Sequence, residues 1–185
     1  MNRRTATKMM ALAAMTAGLL AGGTAMSSGE TAYNYAFEKI EGGKLPLSEY
    51  KGKAVLVVNT ASFCGFTPQY EALEELWKQY KGKGLIVLGV PANNFGAQEP
   101  GSNAEIKTFC ESKYDIDFPM TEKVSVKGDD AHPFYKWVSA SKGEPQWNFH
   151  KYLINTKGEL VGAYPSKVSP RSKELTDAID IALKK

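Results

Sequence analysis

The stretch Ala54–Tyr80, AVLVVNTASFCGFTPQYEALEELWKQY, holds the pattern that decides the fold. Its first residues, Ala54 to Asn59, form a continuous apolar run closed by one amide, the pattern of a short strand buried on both faces. Small and polar residues then turn the chain. Pro68 is expected at a helix's first position with Thr67 as its N-cap. Tyr70, Leu73, Leu76, Trp77 and Tyr80 keep helical spacing. A second apolar run, Leu85 to Val90, follows. Strand, helix and strand in that order predict a parallel unit with a right-handed crossover.

Working outward, Tyr33 to Ile40, the turn Glu41-Gly42-Gly43 and Lys44 to Leu47 predict an N-terminal β-hairpin. Ser102 with Glu105 three residues on is a capping box opening a helix over Ser102–Lys113, with Ile106, Phe109 and Cys110 on one face. A further helix is expected near His132 to Ala140. Tyr152 to Ile154 and Leu160 to Tyr164 flank Asn155-Thr156-Lys157-Gly158, which predicts an antiparallel hairpin. The last helix is expected to start at Ser169 and Pro170 and to carry the stripe Leu175, Ala178, Ile179, Ala182 and Leu183. The fold class is α/β, a central mixed β-sheet flanked by helices with an N-terminal β-hairpin.

The 185 residues suit a single domain. Their start has the form of an export signal. Arg3, Arg4 and Lys8 make a basic region, Met9 to Ala21 an apolar core, and Gly23-Thr24-Ala25 a cleavage site. Thirteen apolar residues are too few to span a bilayer, which needs about 20. Residues 1–25 are therefore expected to be a cleavable signal peptide and 26–185 the working domain, exported to a periplasm or secreted, by the general or the twin-arginine route. The full chain has 23 Lys plus Arg against 20 Asp plus Glu, a net charge of +3. All three excess cations lie in the signal, so the mature chain is neutral. With no basic patch interleaved with aromatics, nucleic acid is not an expected partner.

The mature chain keeps two cysteines, Cys64 and Cys110, and two histidines, His132 and His150. Their separations match no common metal-ligand spacing, and no cofactor is implied. In an oxidising compartment the two thiols suggest one disulfide, yet a domain of this size buries an adequate core without a staple. Cys64 is expected just past the carboxyl end of a central strand and just before a helix N-terminus, where open α/β sheets place ligand chemistry. Helix N–H groups and positive potential there favour a thiolate. Cys64 thus reads as a working thiol, half of a disulfide, or a small apolar filler.

Three blocks separate these readings. VVNTASFCGFTPQYEALEELWKQY, NNFGAQEPGS and WNFHKYLI together resemble the glutathione peroxidase family in its cysteine-containing, thioredoxin-fold form. The resemblance runs from about Tyr35 to Leu183. It implies an active-site tetrad of Cys64, Gln98, Trp147 and Asn148, and a peroxidase acting on hydrogen peroxide and on organic or lipid hydroperoxides. The residue types suit that chemistry. A thiolate attacking a peroxide oxygen needs N–H donors, which indole and side-chain amides supply; the product is a sulfenic acid.

EIKTFCESKYDIDFPM resembles the block in which thioredoxin-dependent members keep a resolving cysteine. That implies Cys110 attacks the Cys64 sulfenic acid to form a disulfide, which a thioredoxin-like protein reduces. The other reading of Cys110 is core filler beside Ile106 and Phe109. The chain departs from many relatives at Ala92-Asn93-Asn94, where they have Cys-Asn-Gln, but no tetrad member is affected. The segment between the His132 helix and Trp147 is short, which implies a monomer with a shallow site. No arginine cluster resembles a dedicated glutathione pocket, and the reductant is expected to be a thioredoxin-like protein or glutathione. The alternatives are an exported redox relay, a binding module on the same scaffold, or a thiol–disulfide oxidoreductase. The last would want Cys-x-x-Cys, where this chain has Cys64-Gly65-Phe66-Thr67. A peroxiredoxin is disfavoured because Thr60 stands four residues before Cys64 and that motif's proline is missing.

Overall fold

The computed structural model describes residues 29–184, so the expected signal peptide lies outside the described residues. The strand–helix–strand unit is present as β3 (Ala54–Thr60), α1 (Gln69–Tyr80) and β4 (Leu85–Pro91). It is preceded by a short hairpin, β1 (Ala36–Glu38) and β2 (Lys44–Pro46). It is followed by α2 (Asn103–Tyr114), α3 (Pro133–Lys142), β5 (Lys151–Ile154), β6 (Leu160–Tyr164) and α4 (Lys173–Ala182).

The main sheet has the order β4-β3-β5-β6. β3 runs parallel to β4, with Ala54 opposite Leu85 and Thr60 opposite Pro91. β5 runs antiparallel to β3, with Val58 opposite Lys151, and β6 antiparallel to β5. All residues of β3, β4 and β5 are buried, as their apolar runs require. Alternation splits the core into two layers. Leu56, Val58, Val87 and Leu153 pack with Tyr70, Leu73 and Leu76 of α1, Ile106 and Cys110 of α2, and Leu175 and Ile179 of α4. Val55, Val57, Leu88 and Tyr152 pack with Phe134 and Val138 of α3 and with Phe37 and Leu45 of the hairpin. This is the thioredoxin-like mixed sheet between helical layers.

Three local expectations are corrected. The N-terminal hairpin is shorter than Tyr33–Leu47, because Ala32–Asn34 and Leu47–Tyr50 close into 3₁₀ turns. Thr67 does not cap α1; the chain enters that helix through short turns, and the Thr67 hydroxyl is used elsewhere. Helix α4 begins at Lys173, capped by the Ser172 hydroxyl accepting from the Leu175 N–H, while Ser169-Pro170 form the turn before it. The capping box of α2 forms as expected, Ser102 and Glu105 each accepting from the other's backbone N–H. In the β5–β6 turn Gly158 has φ +83, and a Cβ there would meet the Tyr33 ring at 2.7 Å, so glycine is required on both counts.

Candidate active site

Strand register places the carboxyl ends of β3 and β4 beside the chain entering β5. The segments after Thr60, after Pro91 and before Lys151 therefore meet at one edge of the sheet. Cys64 lies on the first of them. Its N–H donates to the Thr67 hydroxyl at 3.0 Å, and that hydroxyl donates to the Ala61 carbonyl at 2.9 Å. Thr67 thus braces the cysteine turn, in the place a second thiol would occupy in Cys-x-x-Cys. The Phe66 N–H points at Cys64 Sγ, 3.4 Å away. Cys64 is 8% exposed, while its neighbour Phe63 is 67% exposed.

Gln98 lies on the second segment. Its carbonyl accepts from the Phe63 N–H at 3.0 Å, which ties its loop to the cysteine turn. Gly96 and Ala97 both have left-handed φ, +63° and +51°, and they aim the Gln98 side chain. Gln98 Oε1 accepts from Asn148 Nδ2 at 3.0 Å. With its oxygen so engaged, the Gln98 amide presents its NH₂ side as a donor. Asn93, and Asn94 where the usual block has Gln, are structural here. Asn93 Oδ1 accepts from the Glu99 N–H, and Asn94 bridges the Ser125 hydroxyl and the Val126 N–H.

Trp147 and Asn148 lie on the third segment. Asn59, the last-but-one residue of β3, holds it. Asn59 Nδ2 donates to the Trp147 carbonyl at 3.0 Å, and its carbonyl accepts from the Phe149 N–H at 2.6 Å. Asn148 is fully buried; Trp147 is 40% exposed, with its ring 5.8 Å from that of Phe95. Phe149 has φ +64°, a strained conformation for a bulky residue. The Lys151 ammonium holds it, donating to the Phe149 carbonyl at 2.7 Å. The structure therefore brings Gln98 and Asn148 into direct contact and sets Cys64 and Trp147 on the turns fastened to them.

Lys151 is fully buried and has no carboxylate partner among the described residues. Burial depresses its pKa to about 7, from an ordinary value near 10.5. Between those values the unfolded chain holds a proton that the folded chain lacks, so stability rises with pH. We expect the unfolding free energy to increase by about 2 kcal/mol from pH 7 to 8.5. Lys151→Met should remove that rise, as denaturant titrations at the two pH values would measure. An unchanged slope in the variant would assign it to another group.

Cys110 is placed differently. It is fully buried on α2 beside Ile106, and burial pushes its thiol up to about 11. Both cysteines are free thiols. The Tyr70 hydroxyl of α1 is directed at the Cys110 sulfur and the Thr60 hydroxyl, though neither contact reaches full hydrogen-bond geometry. The sequence reading missed Asn59, Thr67 and Lys151 as supports. A polar residue ending an otherwise apolar strand was the one available signal for Asn59.

The chain matches the family model described as glutathione peroxidase over residues 32–139, a span that includes Cys64, Gln98 and Cys110 but ends before Trp147. It is 45% identical over 147 residues to a glutathione peroxidase-like peroxiredoxin of Schizosaccharomyces pombe, covering 77% of this chain and 93% of that one. It is 41% identical over 151 residues to a hydroperoxy fatty acid reductase of Synechocystis, covering 76% and 89%. The crystal structure of Trgpx in apo form superposes with a TM-score of 0.70 at 36% identity, covering 85% of this chain and 98% of that one.

Proposed function

The chain belongs to the glutathione peroxidase family, and on that premise we propose that it reduces hydroperoxides through a Cys64 sulfenic acid. The observation that carries this reading is the single sheet edge. There a thiol with a backbone donor on its sulfur is fastened, through the Phe63–Gln98 bond, to an amide pair with a free NH₂. Thiolate sulfur attacks one peroxide oxygen. Gln98, Asn148 and the Trp147 indole N–H orient the peroxide and stabilise the leaving oxyanion, which departs as water or an alcohol. A Synechocystis relative named for reducing hydroperoxy fatty acids supports organic hydroperoxides as substrates.

In this reading Cys110 then closes a disulfide with Cys64, and a thioredoxin-like protein reduces it. Its place on the buried face of α2 gives it no other evident chemistry. The basic start and apolar core of residues 1–25 support export, so the reductant would work outside the cytoplasm. The short segment between α3 and Trp147 supports a monomer. Steady-state peroxide consumption with a thioredoxin system and, separately, with glutathione tests the reductant. We expect turnover with thioredoxin to be faster by about 10-fold or more, since a disulfide, rather than a free sulfenic acid, would be the species awaiting reduction. Equal or faster turnover with glutathione would overturn the thioredoxin assignment.

A further inference from the structure

Glu99 follows Gln98 directly and is 1% exposed. Both its carboxylate oxygens lack a well-formed hydrogen bond. Their nearest donors are the N–H and hydroxyl of Ser62, two residues before Cys64. Glu99 helps line a cavity of about 370 Å³, together with Ser62 and Phe63 of the cysteine turn and Ile106 and Phe109 of α2. The cavity thus lies between the cysteine turn and the start of α2, while Cys110 itself lines a different pocket with Ile40, Ile116 and Met120. Glu99 also lies close enough to Cys110 and Tyr70 for its charge to be felt at both. A buried carboxylate without full partners is costly, and nothing in the peroxide step uses it.

We propose that Glu99 is the proton shuttle of the resolving step, taking the Cys110 thiol proton and returning it to the oxygen that leaves Cys64. This rests on the reading of Cys110 as the resolving thiol. The carboxylate accepts the proton from the Cys110 S–H. The thiolate so formed attacks the Cys64 sulfur and forms the S–S bond as the S–O bond breaks. The departing hydroxide takes the proton from Glu99 and leaves as water. Nothing else is consumed, and the carboxylate is regenerated. The local opening of α2 that brings Cys110 forward would carry the thiol toward the cysteine turn, on whose side Glu99 lies. Burial of Cys110 holds it protonated, which is why a base is needed. Burial likewise raises the Glu99 carboxyl above its usual range, opposed by Ser62 and by Lys123. Such a carboxylate is a stronger base than an exposed one. The titratable and charged groups facing it are Tyr70 of α1, Cys110 and Glu105 of α2, and Lys123. The Lys123 ammonium caps the loop by donating to the carbonyls of Glu99, Pro100 and Gly101.

The test separates the two chemical steps. Reduced protein receives one equivalent of hydrogen peroxide and is quenched at intervals; sulfenic acid and disulfide are followed by intact mass. Glu99→Gln should form the Cys64 sulfenic acid at the parent rate, which also shows that the site is folded. Its disulfide formation at pH 7 should slow by on the order of 10²-fold. The fall in parent resolving rate on acidification, as Glu99 protonates, should vanish in the variant, and Glu99→Asp should recover part of the rate. Disulfide closure in Glu99→Gln within about twofold of the parent across the pH range would overturn the shuttle. Normal turnover of Cys110→Ser with thioredoxin would overturn the resolving reading beneath it, and the two failures are distinct.

Discussion

Replacing Cys64 by serine will abolish peroxide consumption while leaving the fold in place. The substitution is nearly isosteric, and the Thr67 brace and the Phe63–Gln98 bond that shape the turn use backbone groups of the cysteine segment, not its sulfur. Chemistry is what changes. A serine hydroxyl is not ionised at neutral pH by one N–H donor, and the one hydrogen bond to the sulfur among the described residues comes from the Phe66 backbone N–H, not from a base. Turnover should fall to the uncatalysed background, with far-UV circular dichroism and the thermal transition close to those of the parent. Substantial turnover by a folded Cys64→Ser protein would remove the thiol from the mechanism.

Replacing Cys110 by serine will stop the cycle at a different point. The Cys64 sulfur is untouched, so the variant should still consume about one equivalent of peroxide and accumulate a sulfenic acid. It should then fail to turn over with thioredoxin, for want of a disulfide to reduce. Under this proposal a conformational step is expected as well. Cys110 is fully buried in the layer of α1 and the sheet, and the two thiols are free. A disulfide needs Cα atoms within about 7 Å, and with Cys110 held in a helix on its buried face, we expect part of α2 to unwind before the bond closes. The loop leading into α2, Glu99 to Gly101, is fastened by Lys123 and by the bond from the Glu99 N–H to Asn93, contacts that lie outside the sheet ladder. Amide hydrogen exchange over Asn103–Tyr114 should accordingly be slower in the reduced protein than in the oxidised one. Exchange that does not change on oxidation would place Cys110 in the core throughout.

The sheet was legible because its central strands obey a simple rule. A strand covered on both faces must be apolar at nearly every position, and Ala54–Val58 and Leu85–Val90 are. Periodicity likewise placed α1, and the capping box placed the start of α2. The two capping misreadings share a cause: Ser or Thr before Pro has the form of an N-cap whether or not its hydroxyl is the one used. Thr67 before Pro68 has the form of a helix cap, yet its oxygen is taken by the Cys64 N–H across a tighter turn. Ser169-Pro170 has the same form, but Ser172 does the capping. For the site, residue types and blocks pointed to Cys64, Gln98, Trp147 and Asn148, and the sheet register explains how segments so far apart in sequence reach one edge. Their supports were hidden. Lys151 in a strand reads as a solvated charge, and only the fold reveals that it is buried and bonded to the left-handed Phe149. Glu99 beside Pro100 and Gly101 reads as an exposed loop acid, and only packing against Ser62 and α2 hides it.

The most direct test of the account is the site of oxidation itself. Cys110→Ser protein, fully reduced, is mixed with one equivalent of hydrogen peroxide, trapped with a sulfenic-acid-specific reagent and mapped by peptide mass spectrometry. The account predicts that the tag is on the peptide carrying Cys64, and that Gln98→Ala in the same background slows its appearance by on the order of 10²–10³. An untagged Cys64 peptide with peroxide remaining in solution would contradict it.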